Sequence, residues 1–461
     1  MNTGAARLRN ISDILMPMKI LCTGDWHLGN VFHGNDRLPE HRHFLAWLTE
    51  RIGEHRPDLL LIAGDVFDNA NPSAAAQKAF YTFLVEATEA CSDLQIVLIA
   101  GNHDSAYRLE APRDLLRCHR VEVRGAVRRR PLVDTDPDDE GRPALAYDLD
   151  DLILPVAGRS PQDRVVVLAV PFLRAEFAVE GSYSRGVNGL LSALTLRARQ
   201  LHPGVPMVMM AHMYATGAEI AATDASERLV IGGQEQVDLA LADGRPDYLT
   251  CGHIHKRQHL WGTDWARYPG SVLPMSFAEL DYRHGVDLVH IAAGAKPQVD
   301  FLEYQPQHRL VSLPRGEAAA ELEELKRLVA QELPDRAADG QLSARSCYLE
   351  LKLATPRVLP EVRAEIERAV AAKDAVICRL QQVYTALDGA DIAQPERFRS
   401  VDDVLRRDPA EAVMECFQIR KKAPMNERQA RLVDEAVRAA REAIRTETEE
   451  QDHETTETRD A

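Results

Sequence analysis

The sequence predicts a layered α/β fold for the residues up to about 305, followed by a small α+β domain and C-terminal helices. Three observations support this. Between residues 18 and 115, short apolar runs alternate with segments whose apolar residues recur at helical spacing. The runs lack polar alternation, which is typical of strands buried on both faces. Near residue 308 the order of these signals changes, which indicates the start of a second unit.

Strands of the first unit are expected where an apolar run is short and uninterrupted. The sequence places such runs at 18–22, 59–63, 94–100, 165–170, 205–210 and 247–250, with edge strands at 286–292 and 298–304. Helical spacing predicts helices over 40–52 and 74–90. The stretch 128–151 is rich in Pro, Asp and Gly, so we expect a loop or a hairpin there.

The second unit is predicted from shorter signals. Its expected strands are 310–313, 347–353 and 376–383, and its expected helices are 318–333 and 359–372. Ser400 and Asp403 can form a capping box that opens a later helix, and another helix is predicted over 426–445. The domain boundaries that follow are 1–17, 18–305, 308–390, 396–445 and 446–461.

Composition limits the possible classes of protein. At 461 residues, two or three domains are expected. The chain is 45% hydrophobic and 27% charged, as in soluble globular proteins, and no apolar run is long enough to predict a membrane span. The net charge of −16 weakens a nucleic-acid hypothesis without excluding it, because the predicted disordered tail 446–461 holds seven acidic residues and one arginine. Seven scattered cysteines without a CxxC pair indicate a reduced, cytoplasmic setting.

Five short segments place metal-binding side chains directly after an apolar run. Because the carboxyl ends of strands in layered α/β folds converge at one edge, such side chains can meet although they are distant in sequence. Adjacent glycines permit tight turns and a close approach of the backbone. The candidate ligands are Asp25, His27, Asp65, Asn102, His212, His253 and His255. His103 and Asp104 follow Asn102 in the Gly-Asn-His-Asp segment.

The chemistry of this set predicts two transition-metal ions. Two carboxylates, four imidazoles and one amide oxygen suit Mn²⁺, Fe²⁺ or Zn²⁺ better than Ca²⁺ or Mg²⁺. Seven ligands are too many for one ion, but they are enough for two ions that share a carboxylate. Two ions about 3.5–4 Å apart can bind a phosphate group and activate a bridging water molecule. The natural substrate is therefore a phosphoester.

Each segment alone has an ordinary explanation. A lone Asp-x-His pair is usually incidental, and Asn and Asp favour turns. Their joint occurrence, in order and each after a predicted buried strand, argues against chance. The other histidines do not lie in segments of this kind and are expected to be ordinary surface or core residues. His41 and His43, for example, lie two positions apart on a predicted helix and therefore do not face each other.

These segments resemble those of the calcineurin-like metallophosphoesterases, and within that superfamily they look like the SbcD family of nuclease subunits. The likeness covers about residues 18–445 and implies a β-sandwich flanked by helices, a DNA-binding capping domain over 308–390 and a docking segment over 396–445. The segments that carry it are Asp25–Gly29 (DWHLG), Gly64–Asp68 (GDVFD), Gly101–Ser105 (GNHDS), Gly252–His255 (GHIH) and Arg267–Phe277 (RYPGSVLPMSF).

The resemblance also implies a role for each candidate residue. The ligands would be Asp25, His27, Asp65 and His255 at one metal, and Asp65, Asn102, His212 and His253 at the other. Asp65 would bridge the two ions, which in this family are usually Mn²⁺. His103 would act as a general acid or stabilise the leaving oxygen, with Asp104 as its orienting partner.

The implied partners are DNA and the SbcC ATPase, in a heterotetramer with two copies of each subunit. The two copies of the nuclease subunit would form a homodimer through their nuclease domains. The implied activities are ATP-dependent double-strand exonuclease and single-strand or hairpin endonuclease, serving DNA repair, replication and recombination in the cytoplasm at the nucleoid. Two alternatives stay open. One is a phosphatase or cyclic-nucleotide phosphodiesterase of small substrates, against which the residues beyond 305 argue. The other is a non-catalytic scaffold, against which the full set of ligands argues.

Overall fold

The computed structural model describes most of the chain up to residue 384 and parts of the segment after it. Contacts group the chain into two compact units, 1–385 and 386–461. The described residues are 17–131, 145–160, 163–219, 236–241, 244–355 and 360–384, and, further on, 410, 413–414, 417, 425–426, 428–433 and 436–438.

The described residues up to 384 form strands, α-helices and short 3-10 turns. The strands are β1 (Met18–Thr23), β2 (Val31–Phe32), β3 (Asn35–Asp36), β4 (Leu59–Ala63), β5 (Gln95–Ile99), β6 (Val121–Arg124), β7 (Arg129–Pro131), β8 (Leu145–Tyr147), β9 (Ile153–Ala157), β10 (Arg164–Val170), β11 (Met207–His212), β12 (Tyr248–Gly252), β13 (Gln258–His259), β14 (Ala266–Tyr268), β15 (Gly285–Ile291), β16 (Gln298–Glu303), β17 (Leu310–Leu313), β18 (Cys347–Thr355) and β19 (Ala375–Tyr384). The helices are α1 (Leu38–His55), α2 (Ala74–Ala90), α3 (Ala106–Glu110), α4 (Arg113–Arg117), α5 (Tyr183–Leu201), α6 (Leu322–Glu332) and α7 (Pro360–Val370).

Two six-stranded sheets form the main domain. The first has the order β16-β15-β1-β4-β5-β6, and the second has the order β13-β14-β12-β11-β10-β9. In the first sheet β1, β4, β5 and β6 are parallel, while β15 joins β1 antiparallel. In the second sheet β10, β11, β12 and β14 are parallel. The parallel strands of each sheet therefore end at a common edge.

The sheets pack face to face, and helices cover their outer faces. Ile20, Leu61 and Ile99 of the first sheet share one buried cluster with Val167 and Met210 of the second. The alternate residues of β1, β4 and β5 pack against α1 and α2, whereas α5 packs on the second sheet. Strands covered on both faces must be apolar throughout, which explains the uninterrupted apolar runs. The main domain is thus the predicted helix-flanked β-sandwich.

The small domain, residues 310–384, has a three-stranded parallel sheet of order β17-β18-β19. Helices α6 and α7 are the crossovers, and their apolar faces form one buried cluster with β18. The small domain contacts the main domain through a second cluster. That interface cluster consists of Phe32, Phe277, Leu310 and Tyr348.

Most of the helices and strands that were predicted up to residue 384 are confirmed. Helix α2 spans the predicted residues, with Ser73 accepting the Ala76 N–H at its N-terminus. The 128–151 stretch includes the pairing of β7 with β8, in agreement with a hairpin. Helix α5 is not among the predicted elements. Two glycines weaken its helical signal, and Gly186 is required because a Cβ there would lie 1.6 Å from the Phe177 carbonyl oxygen.

Some predicted features fall outside the described residues. They are residues 1–16 of the N-terminal segment 1–17, residues 132–144 of the stretch rich in Pro, Asp and Gly, the Ser400–Asp403 box and the tail 446–461. Parts of the predicted helix 426–445 are described, and 428–433 and 436–438 are helical. Within the described parts of the chain, no helix combines the length and the apolar character that crossing a membrane requires.

Candidate metal centre

All the candidate ligands lie at one edge of the sandwich, directly after parallel strands. Asp25 and His27 follow β1, Asp65 follows β4, and Asn102 follows β5. The second sheet contributes His212 from the end of β11, and His253 and His255 after β12. The site is therefore built from both sheets, as expected for ligands at strand ends.

Tight turns bring these side chains together. Asp25, His27, Asp65 and His253 all have positive φ angles, between 48° and 100°. Such angles are costly for residues other than glycine and are concentrated at functional sites. Gly101 allows a close approach of two turns, because a Cβ there would lie 2.1 Å from Asp65 Oδ1. The backbone around the site is thus fixed by the packing of the strand ends.

One group of ligand atoms comes from Asp25, His27 and His255, and all of these atoms lie within 4.8 Å of one another. Asp25 Oδ2 and His27 Nε2 are buried and have no hydrogen-bond partner in the described structure. Buried polar atoms are almost always satisfied, so two orphaned ligand atoms at one place fit a cation that would bind both. This observation supports the predicted first metal site.

A second group consists of Asp25, Asp65 and His212, again within 4.8 Å. Asn102 Oδ1 lies 2.9 Å from His212 Nε2 and 2.9 Å from His253 Nδ1. The amide oxygen and both imidazoles therefore converge beside Asp65. A third group, His27, Asp65 and His103, shares Asp65 with the second group. All seven predicted ligands are thus brought together, and Asp65 lies at their centre.

The charges in the site depend strongly on one another. Burial alone would raise the pKa of Asp65, but the charge and hydrogen bond of His212 lower it well below its usual range. For His212, burial opposes protonation, but Asp65 and Asp25 raise the pKa to about 9. Burial, with the charge of His212, lowers the pKa of His253 to about 3. A bound cation would take over the stabilisation of both carboxylates that the His212 proton now provides.

Three of the imidazoles are oriented by a contact at Nδ1. His212 Nδ1 lies 2.9 Å from the Ala63 carbonyl oxygen, and His255 Nδ1 lies 3.0 Å from Glu279 Oε1. His27 Nδ1 lies 3.6 Å from Asp68 Oδ1. In each ring, Nε2 is then the atom that would coordinate a metal, which is the usual arrangement of metal-binding histidines.

His103 is held differently from what the sequence suggests. Its Nδ1 lies 2.8 Å from the Asp68 carbonyl oxygen, and its ring meets the His27 ring edge to face at 4.7 Å. Asp104 instead accepts the backbone N–H groups of Gly101, Val66 and Phe67 at 2.9–3.1 Å. Asp104 therefore ties two ligand-bearing turns together, and the orienting contact to His103 comes from Asp68.

Sequence reasoning missed Asp68 and Glu279. Asp68 lies within the Gly64–Asp68 segment, and its side chain also accepts from Asn30 at 2.9 Å. Glu279 lies just after the Arg267–Phe277 segment and is 1% exposed. A buried glutamate shortly after a motif is the available signal, but its pairing with His255 depends on the tertiary fold.

The donor set agrees with two divalent cations of the first transition series. Nitrogen and oxygen donors surround Asp65, and in the described part of the chain no cysteine belongs to the metal-ligand groups. The six described cysteines are free, and four of them are buried. The residues present therefore fit the predicted two-metal centre.

Comparison with known proteins agrees with this geometry. Residues 18–257 match the calcineurin-like phosphoesterase family, and residues 306–421 match the type 5 capsule protein repressor C-terminal domain family. The SbcD subunit of the SbcCD nuclease from Rhodobacter capsulatus is 35% identical over 83% of this chain and 89% of that protein. The SbcD subunits from Escherichia coli K12 and Bacillus subtilis 168 are 28% and 30% identical, over 76% and 60% of this chain and 81% and 67% of theirs.

These matches cover both domains that the structure describes. The first spans the metal ligands, and the second spans the whole small domain. The calcineurin-like phosphoesterase domain indicates a metal-dependent hydrolase. The chain belongs to the calcineurin-like phosphoesterases and, within them, to the SbcD family of SbcCD nuclease subunits.

Proposed function

We propose that the chain is a Mn²⁺-dependent DNA nuclease and the catalytic subunit of a complex with the SbcC ATPase. The observation that carries the proposal is the convergence of three overlapping groups of ligands. Two of the groups share Asp65, and each contains Asp25 or His27, the two residues with an orphaned ligand atom. A single structural ion would not need so many buried donors. The likeness to nuclease subunits in three bacteria supports DNA as the substrate.

One metal would be held by Asp25, His27, Asp65 and His255, and the other by Asp65, Asn102, His212 and His253. The close contacts of Asn102 Oδ1 with both imidazoles of the second set support this division. Asp65 Oδ2 lies 3.7 Å from His27 Nε2 and 3.4 Å from His212 Nε2, between the two sets. From this position Asp65 would serve both sets of ligands.

When bound, the two cations would bind the phosphate group, activate water and offset negative charge on the phosphoester. The protein supplies His103 beside them. Because the Asp68 carbonyl oxygen can only accept, Nδ1 of His103 carries a hydrogen, and Nε2 is the atom available to the substrate. A protonated Nε2 could donate to the leaving oxygen. Asp104 acts as a positioning residue, because it fixes the backbone on either side of Asp65.

The likeness to SbcCD nuclease subunits supports a complex with SbcC, and the surface supports a homodimer. The segment 396–445 docks on SbcC, in a complex with two copies of each subunit. Tyr107 on α3 and Leu115 on α4 are 87% and 67% exposed, and exposed apolar side chains of this kind are suited to a homodimer through the main domain. The free cysteines support a reducing cytoplasmic setting, where the complex would act at the nucleoid.

A second candidate function is hydrolysis of small phosphoesters, since the metal ligands alone do not choose between substrates. The nuclease is favoured because the small domain is seated beside the ligand-bearing loops through Phe277 and Tyr348. An enzyme for small substrates would not need such a domain.

The discriminating experiment is a nuclease assay on double-stranded ends with and without SbcC and ATP, with metal content measured on the same preparation. The proposal predicts Mn²⁺-dependent cleavage that SbcC and ATP regulate. Hydrolysis of a small phosphodiester with no cleavage of DNA at any SbcC ratio would contradict it.

A further inference from the structure

A chain of buried polar contacts runs from the metal centre to the small domain. It begins at His255, whose Nδ1 lies 3.0 Å from Glu279 Oε1. The other oxygen, Glu279 Oε2, accepts the Met275 N–H at 2.9 Å. Glu279 is only 1% exposed, so water does not compete for these contacts. The orientation of His255 therefore depends on the loop that contains Met275.

The next link is the peptide group that joins Pro274 to Met275. Its N–H group serves Glu279, and its carbonyl oxygen accepts from the Arg37 guanidinium. Because a peptide group is planar and stiff, a displacement at its carbonyl end also moves its N–H end. Arg37 is fully buried and pairs with both oxygens of Glu40, at 2.9 and 3.0 Å. The guanidinium thus holds the loop and the carboxylate together.

The last link belongs to the small domain. Tyr348 on β18 donates its hydroxyl to Glu40 Oε1 at 3.1 Å. The Tyr348 ring lies 5.4 Å from the Phe32 ring, and the Arg37 guanidinium lies over both rings at 5.9 and 5.2 Å. Tyr348 therefore joins the small domain to a buried ion pair of the main domain.

We propose that these contacts couple the seating of the small domain to the position of His255, and that Tyr348 and Glu279 are positioning residues for the metal centre. The inference rests on the proposed role of His255 as a metal ligand. A buried charged pair tolerates few alternative arrangements, because a lost partner leaves a desolvated charge. A shift of the small domain on its seat would pull on Glu40 and Arg37, then on the Pro274 carbonyl and finally on Glu279. A ligand or partner that engages the small domain could thus act on metal binding without touching the metals.

The test compares Tyr348→Phe with Tyr304→Phe in the full chain. Tyr304 is also buried, but its hydroxyl lies 2.7 Å from His43 and outside the chain of contacts. The two readouts are the Mn²⁺ concentration that gives half-maximal hydrolysis of a chromogenic phosphodiester and the Mn²⁺ dissociation constant measured by direct binding. Tyr348→Phe should raise both by about threefold or more, and Glu279→Gln by about 10- to 100-fold, as expected for residues that orient metal ligands. Tyr304→Phe should leave both unchanged.

A double variant tests whether the two residues act through one route. If they do, Tyr348→Phe combined with Glu279→Gln should raise the Mn²⁺ requirement by less than the product of the single effects. Equal shifts for Tyr348→Phe and Tyr304→Phe, or fully multiplicative effects, would overturn the coupling. If the wild-type chain binds no Mn²⁺ and hydrolyses nothing, the proposed function fails instead, so the two failures are distinguishable.

Discussion

His103 is the residue of the site whose role is least dictated by position, because it could act either as a proton donor or as a ligand. Its Nδ1 is engaged by the Asp68 carbonyl oxygen, yet it also belongs to a possible ligand group with His27 and Asp65. We expect His103→Ala to retain both metals and to lower turnover by about 10²- to 10⁴-fold, the usual contribution of general acid–base catalysis. Metal analysis and steady-state kinetics on one preparation decide this, because loss of a metal in the variant would make His103 a ligand.

His41 predicts a pH dependence of stability. Burial, with the charge of Arg37, lowers the pKa of His41 to about 3. The pKa of histidine in an unfolded chain is about 6.5. The unfolded state therefore binds this proton more readily, and the stability conferred by neutral His41 is present above pH 6.5 and lost as the pH falls toward 3.

The comparison uses His41→Gln, which keeps a polar group near the Trp26 carbonyl oxygen that His41 Nε2 contacts at 2.9 Å. Between pH 7.5 and pH 5, the melting temperature of the metal-free wild type should fall more than that of the variant. Parallel declines would show that His41 does not contribute to the pH dependence.

At the scale of residues, the sequence predicts the candidate ligands better than it predicts the residues that orient the side chains of the site. The ligands stand in short motifs with glycines, and the structure brings all seven together. The contacts of Glu279 with His255 and of Asp68 with His103 join different loops, so no local spacing encodes them. Asp104 was expected to orient His103, but its carboxylate accepts three backbone N–H groups instead.

At the scale of elements, the site depends on how closely strand ends can approach. A Cβ at Gly101 would lie 2.4 Å from Asp65 N and would force the two turns apart. We expect Gly101→Ala to weaken Mn²⁺ binding by about tenfold or more, as a displaced ligand would. The control is Gly53→Ala on α1, where a Cβ meets nothing within 4 Å and should stabilise the helix by about 0.5–1 kcal/mol. Calorimetric Mn²⁺ titration of both variants checks this, and unchanged affinity in Gly101→Ala would refute the packing argument.

The elements themselves were predictable where burial leaves a simple pattern. Strands such as β4 are covered on both faces and read as continuous apolar runs. Helix α5 was not predicted because Gly186 and Gly189 lower its helical signal. Its stability comes from packing against the second sheet. The short helices α3 and α4 carry too few residues for periodicity to appear.

At the scale of the whole molecule, catalysis and partner binding are assigned to different parts of the chain. Deletion of residues 396–461 should abolish association with SbcC and leave Mn²⁺-dependent hydrolysis unchanged, because every proposed ligand lies before residue 256. Co-purification with SbcC and hydrolysis of a small phosphodiester measure the two properties separately. A deletion variant that still forms the complex would disprove the docking assignment.

The central claim is that seven residues bind two metal ions that share Asp65. Its most direct test is the number of Mn²⁺ ions per chain, measured by elemental analysis after equilibrium dialysis. The wild type should hold two, Asp65→Asn should hold fewer than one with no detectable hydrolysis, and Asp264→Asn, at a carboxylate that is 75% exposed, should hold two. One ion or none in the wild type, or two ions in Asp65→Asn, would contradict the claim.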